Sequence, residues 1–185
     1  LLITACEDNP TISDQQTTSW TFIANEGNYG ASNGSISMID DFGNVYEDEN
    51  VGDVVQSLEV YKDKLIVLVN NSHKIIIFDI TADGLSYPGI EIDTENSSPR
   101  EMVVVDDKIY FTNWATQDVK VFNLVNYIIE DSIPLDGLPE DIMIDGTDLW
   151  VTINMNPDWS SANTVVKIDM NSNTVIEIIP VGEGP

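Results

Sequence analysis

Positive charge is what this sequence has least of. Seven Lys and Arg residues stand against 32 Asp and Glu, a formal net charge of −25 over 185 residues. A field of that sign repels nucleic acid and anionic lipid, so both are poor partners. It suits a solvated surface in a salty medium, where screening over about 3–8 Å limits self-repulsion; a specific cation-binding role is the other reading. Histidine occurs once, at His73, and cysteine once, at Cys6. An internal disulfide framework is thereby excluded, and no Cys or His cluster is available for zinc or iron. There is no run of about 18 apolar residues for a spanning helix, and no segment of useful length has helical periodicity. Neither a GxSxG elbow nor a phosphate-cradling glycine loop is present. No cofactor and no catalytic residue is therefore expected. Apolar residues, at 42%, are nonetheless too frequent for a chain disordered by its charge. The length suffices for one domain with a sizeable core.

The setting of Cys6 carries more than its count. Residues 1–6 read LLITAC, apolar then small then Cys, and polar sequence (EDNP) follows at once. This resembles the lipobox of bacterial lipoproteins, which implies cleavage before Cys6 and lipidation of its thiol, with residues 1–6 as the end of a signal peptide. The acidic residues directly after Cys6 are similar to the surface-export signal of Bacteroidota lipoproteins. The resemblance implies anchoring to the outer membrane by lipid alone, on the cell surface or on the periplasmic face. A buried or stray thiol near a frayed terminus is the plainer alternative. Residues 7–19 read as a polar tether.

From residue 20 to 185 the chain repeats. Apolar runs ending in Asn recur as WTFIAN, LIVLVN, KIYFTN and LWVTIN, and their Asn residues (Asn25, Asn70, Asn113 and Asn154) are 45, 43 and 41 positions apart. Each is followed by a turn-rich gap and a second run ending in Asp or Asn: SISMID, KIIIFD, VKVFN and TVVKID. A weaker third strand and a Gly/Pro/Ser turn lead into the next copy. Four short strands per unit at this period, rich in Val, Ile, Tyr and Trp, predict an all-β fold, a β-propeller of four-stranded antiparallel blades. A β-sandwich or an up-and-down barrel would also use short strands, but neither explains identical strand endings at a fixed period.

The same residues carry a family resemblance. KIYFTNWATQDVKVFN, preceded by SSPREMVVVDD, resembles the YVTN-type repeat of YncE-like propellers. FIANEGNYGASNGSISMID and VGDVVQSLEVYKDKLIVLVNNSHKIIIFD are similar to the opening blades of Bacteroidota surface propeller lipoproteins, of a DUF5074-like, cobamide-binding type. The family usually has seven blades. The expectation is that about four are present here, as a fragment of a larger propeller.

With strands A to D numbered outward from the axis, the B–C loops and D–A turns emerge on one face. The B–C loops are NEGNYG, NNSHK, NWATQD and NMNPDWSSAN, and the D–A turns NVGDVVQS, NSSPRE and DGLPED. Together they are expected to ring one mouth of the channel. The repeated Asn closes a strand end well and needs no ligand to explain it. The loop residues that differ between copies are the candidates: Glu26, Asn28 and Tyr29, then Asn71 and His73, then Trp114 and Gln117, then Trp159. Aromatic residues on exposed loops leave apolar area uncovered unless a neighbouring loop or a ligand covers it. On the D–A turns Gln56, Arg100 and Glu140 join them. Arg100 is either paired with a carboxylate or an anchor for an anion. DMNSN (Asp169–Asn173) echoes half of a calcium loop, but it lacks the Gly and the distant Glu and lies where a hairpin turn belongs.

What the resemblance implies is a non-enzymatic surface lipoprotein. Its mouth would capture a bulky polar small molecule or glycan (a corrinoid, a metallophore or an oligosaccharide) for a TonB-dependent transporter. A lactonase-like, metal-dependent hydrolase and a protein-interaction scaffold are the alternatives.

Overall fold

A computed structural model describes residues 19–185. Cys6, the lipobox and nearly all of the tether lie outside that range. The described residues form strands and no helix. Strands β1 (Thr21–Asn25), β2 (Gly34–Ile39) and β3 (Val45–Gly52) make a three-stranded sheet in the order β1-β2-β3. Three four-stranded sheets follow, each in chain order and antiparallel throughout. The second sheet holds β4 (Val55–Tyr61), β5 (Lys64–Val69), β6 (Lys74–Thr81) and β7 (Gly84–Asp93). The third holds β8 (Pro99–Val105), β9 (Lys108–Asn113), β10 (Asp118–Asn123) and β11 (Ile128–Pro134). The fourth holds β12 (Leu138–Asp145), β13 (Asp148–Met155), β14 (Ser161–Asp169) and β15 (Thr174–Pro180). These are propeller blades, and their innermost strands β4, β8 and β12 pack beside one another.

Why the central strands read as unbroken apolar runs follows from where they sit. A strand sends alternate side chains to opposite faces, and a blade is covered on both. Leu65, Val67 and Val69 of β5 face the first sheet and pack with Ile36, Met38 and Phe78. The intervening Ile66 and Leu68 face the third sheet and meet Met102, Ile109 and Phe111. Between the third and fourth sheets, Tyr110, Val119 and Val121 pack on Leu149, Val151 and Ile153. Each such fully buried side chain contributes about 1.5–3 kcal/mol relative to exposure.

The strand-ending Asp and Asn residues have a local task. Asp40 Oδ1 accepts the backbone N–H groups of Phe42 and Asn44 at 2.9 and 2.8 Å. Asn123 Oδ1 accepts those of Val125 and Asn126 at 2.8 and 3.2 Å. Asp169 Oδ1 accepts the Asn171 N–H at 3.0 Å, and its Oδ2 takes the Ser172 hydroxyl at 2.8 Å. All three close C–D hairpins, so DMNSN is an Asx turn.

One alignment inferred from sequence shifts by a residue. The N–H of Asn70 donates to the carbonyl of Val54 at 2.8 Å, and in the next blade the N–H of Trp114, not of Asn113, donates to Ser98 at 3.1 Å. The strand pairings Thr21↔Ile39, Leu65↔Phe78, Ile109↔Phe122 and Leu149↔Ile168 extend this register to all four sheets. Glu26, Asn70, Trp114 and Asn154 are therefore the equivalent positions, 44, 44 and 40 residues apart. On the innermost strands Gln56, Arg100 and Glu140 are equivalent in the same way. The common Asn misled because Asn suits two successive positions at a strand end.

Candidate functional site

The B–C loops and the D–A turns do meet on one face. Between them lies a cavity of about 440 Å³ lined by Glu26 and Tyr29 of the first loop, Asn70 and Asn71 of the second, Trp114 and Ala115 of the third and Trp159 of the fourth. Val54, Ser98, Arg100 and Leu138 come from the intervening D–A turns. Six residues expected at the mouth thus share one wall: Glu26, Tyr29, Asn71, Arg100, Trp114 and Trp159.

Three wall residues, Val54, Ser98 and Trp159, hold left-handed backbone, a conformation that bulky side chains avoid. Val54 has φ +65° and Trp159 has φ +67°, both left-handed. Such geometry costs on the order of 1–3 kcal/mol and persists where surroundings impose it, often at binding sites. Trp159 is also 65% exposed and Tyr29 79% exposed, so neither aromatic is hidden by packing between loops. Trp159 meets the half-buried Trp114 edge to face, with ring centroids 5.7 Å apart. The Trp114 indole N–H is buried without a hydrogen-bond partner among the described residues, an unusual state for a buried donor.

Arg100 is held on three sides. Its guanidinium carbon lies 4.2 Å from the Trp114 ring centre. Nε donates to both carboxylate oxygens of Glu140 at 3.2 Å, and Nη1 donates to Gln56 Oε1 at 2.8 Å. Gln56 and Glu140 are absent from the cavity wall; they reach the site only through Arg100. The arginine is paired, as one of the two sequence readings has it.

Asp53 was missed by sequence reasoning. Its buried carboxylate accepts the Gly30 N–H at 3.0 and 3.1 Å and the Asn71 side-chain amide at 2.7 Å, tying the Tyr29 loop to the second blade. Val54, Ser98 and Leu138 were also missed. They occupy equivalent places, 44 and 40 residues apart, in the D–A turns; the corrected repeat register is the signal that finds them. Below the rim, Glu101 accepts the Ser57 hydroxyl at 2.8 Å. Burial pushes its carboxyl above the ordinary glutamate range, and nearby Asp141 and Glu140 add to the rise.

Besides Gln56 and Glu140, three expected residues do not reach the cavity. His73 lines a separate hollow of about 250 Å³ with Ser72, Lys74 and Glu91. Its Nδ1 accepts the Ser98 N–H at 3.0 Å, which assigns the ring a structural task. Gln117 takes a left-handed turn conformation (φ +53°), and its carbonyl accepts the Leu135 N–H at 2.8 Å. Asn28 serves its own loop, donating its N–H to Asn33 at 2.8 Å. On the opposite face a larger cleft, about 600 Å³, lies between the third and fourth sheets. Two of its three charged residues are engaged, Asp107 with Lys62 at 2.9 Å and Lys108 with Glu130 at 3.0 Å. Among the described residues no group of three or more His, Cys, Asp or Glu is placed to hold a metal ion.

A family model described as a domain of unknown function, DUF5074, matches residues 19–184. The chain belongs to the DUF5074 family. No curated protein matches its sequence. Among solved structures, this DUF5074 chain is similar to hydrazine synthase from Kuenenia stuttgartiensis (TM-score 0.67, 18% identity, 80% of this chain and 43% of that one). It is also similar to a protein from Bacteroides uniformis titled a putative 6-phosphogluconolactonase (TM-score 0.68, 12% identity, 87% of this chain and 53% of that one). A third similar structure is a protein of unknown function from Bacteroides caccae (TM-score 0.58, 18% identity, 80% and 55%). The DUF5074 chain spans about half the length of these structures or less. At such identities the likeness is one of fold.

Proposed function

We propose that the mouth cavity of this propeller captures a bulky polar ligand without chemically altering it. The protein is read as an outer-membrane lipoprotein, lipidated at Cys6 and facing outward, that passes its ligand to a TonB-dependent transporter. The observation that carries the reading is the pair Trp114 and Trp159. An exposed, left-handed tryptophan stands over a cavity walled by residues from all four B–C loops. A concave site of a few hundred Å³, with aromatic walls and a few fixed polar groups, is how small-molecule sites are generally built. The LLITAC sequence and the resemblance to YncE-like surface lipoproteins support the anchor and the transporter partner.

A thermal-shift screen of the lipid-free protein against corrinoids, siderophores and oligosaccharides, with and without calcium, tests capture. At least one class is expected to raise Tm; no response from any would remove the proposal. Palmitate labelling lost in Cys6→Ala, together with protease accessibility on intact cells, tests the anchor and its side.

A lactonase-like hydrolase is the competing reading, favoured by the structural likeness to the protein titled a putative 6-phosphogluconolactonase. Glu26 lines the cavity while Glu140 is committed to Arg100, so this chain's own carboxylates give that chemistry little support. Calcium-dependent lactone turnover would favour it over capture.

A further inference from the structure

We infer that the mouth selects a non-anionic sugar ring, one that donates hydrogen bonds while an apolar face lies on Trp159; this rests on the reading of the cavity as a capture site. The inference comes from an inventory of donors and acceptors around the wall. Asn70 spends its amide N–H on the Pro99 carbonyl at 2.8 Å, and Asn71 spends its own on Asp53 at 2.7 Å. Both partners are pure acceptors, so each amide can be oriented in only one way. Each amide keeps its carbonyl oxygen and one further N–H. The Glu26 carboxylate receives no hydrogen bond from the described residues and adds two more acceptor oxygens to the wall. Arg100 commits three of its five N–H groups to Glu140 and Gln56, and its flat face lies on Trp114. The site therefore offers a free carboxylate beside two amide oxygens, and its one cation is already paired with Glu140.

Such a wall calls for a ligand that donates. It also repels anions, because Glu26 lines it and its one arginine is already neutralised by Glu140, in a chain of net charge −25. Hydroxyl groups on a saturated ring meet the first demand. The C–H face of that ring meets the exposed aromatics, whose π faces are electron-rich. A protonated amino sugar gains further from the aromatic faces and from the field. The cavity of about 440 Å³ suits a short stretch of such rings.

The test uses three β-1,4-linked oligosaccharides of equal length: neutral cello-, cationic chitosan- and anionic mannuronate-oligosaccharides, titrated by quenching of tryptophan emission. Binding of the neutral and cationic sugars, with mannuronate at least about tenfold weaker at physiological ionic strength, is the expected result. Trp159→Ala is expected to abolish the quench with an unchanged far-ultraviolet spectrum. Glu26→Gln is expected to narrow the gap between neutral and anionic sugars. Equal or tighter mannuronate binding overturns the inference and leaves capture standing. A corrinoid or siderophore that raises Tm while no sugar quenches also overturns the sugar assignment alone. Failure of every compound overturns both.

Discussion

Within the rim, the guanidinium of Arg100 and the carboxylate of Glu140 keep only 18% and 24% of their side chains exposed. Removing one partner strands the other. Glu140→Ala is expected to destabilise the fold by about 1–3 kcal/mol, less than for a fully buried pair because water still reaches both groups. Arg100→Met combined with Glu140→Leu should recover most of that loss, measured by urea denaturation, since an apolar pair leaves no charge unpaired. At Trp159 the opposite holds. Its side chain is mostly in water, so Trp159→Ala should leave Tm within about 1 °C while weakening ligand binding at least about tenfold. Glu101 predicts a pH effect. Its folded carboxyl titrates above the unfolded value, so the native state binds the proton more tightly. The associated stability is fully present below the unfolded pKa of about 4.3 and is lost as pH rises through the folded one. Glu101→Gln should thus melt higher than the parent at pH 7 and show no advantage below about pH 4.

At the scale of the strands, the D–A turns are where a single atom matters most. Gly137 sits at φ +129°, and a Cβ there would lie 2.4 Å from Ile153 Cγ2 and 3.0 Å from the Met155 carbonyl oxygen. Gly137→Ala is expected to cost about 2–4 kcal/mol and to move Leu138 at the cavity wall, read as a lower urea midpoint with an unchanged slope. The strands themselves were legible in the sequence. LIVLV is apolar throughout because a blade is covered on both faces, and the Asp or Asn ending the C strand marks the hairpin in three blades, whereas in the second the strand runs past Asp79 and Thr81 closes the turn. The exact register was not legible. Asn25 and Asn113 occupy one position and Asn70 and Asn154 the next, a slip that only backbone pairing reveals. The site was legible in the aromatics Tyr29, Trp114 and Trp159, which have no core to enter. It was not legible in His73 or Gln117, polar residues spent on a neighbour's backbone. Nor was it legible in Asp53, whose importance depends on a loop from the preceding blade.

Across the whole molecule, charge and architecture act on different quantities. A net charge of −25 destabilises the compact state through self-repulsion that salt relieves. Raising sodium chloride from about 0.05 to about 0.5 M shortens the screening length roughly threefold and should raise Tm by several degrees, about 2–4 °C for each kcal/mol of relief. The architecture decides where the loops gather. Repeated four-stranded units, packed with their innermost strands side by side, carry every B–C loop to one end and every C–D hairpin to the other. The account stands or falls on that gathering. The most direct measurement is cysteine cross-linking in a Cys6→Ser background with a short bifunctional maleimide at low protein concentration. Tyr29→Cys with Trp159→Cys joins the first and fourth loops across the cavity and should cross-link nearly completely within one chain, while Phe42→Cys with Trp159→Cys, placed on opposite faces, should not. Equal cross-linking of both pairs, or of the second alone, would contradict the account.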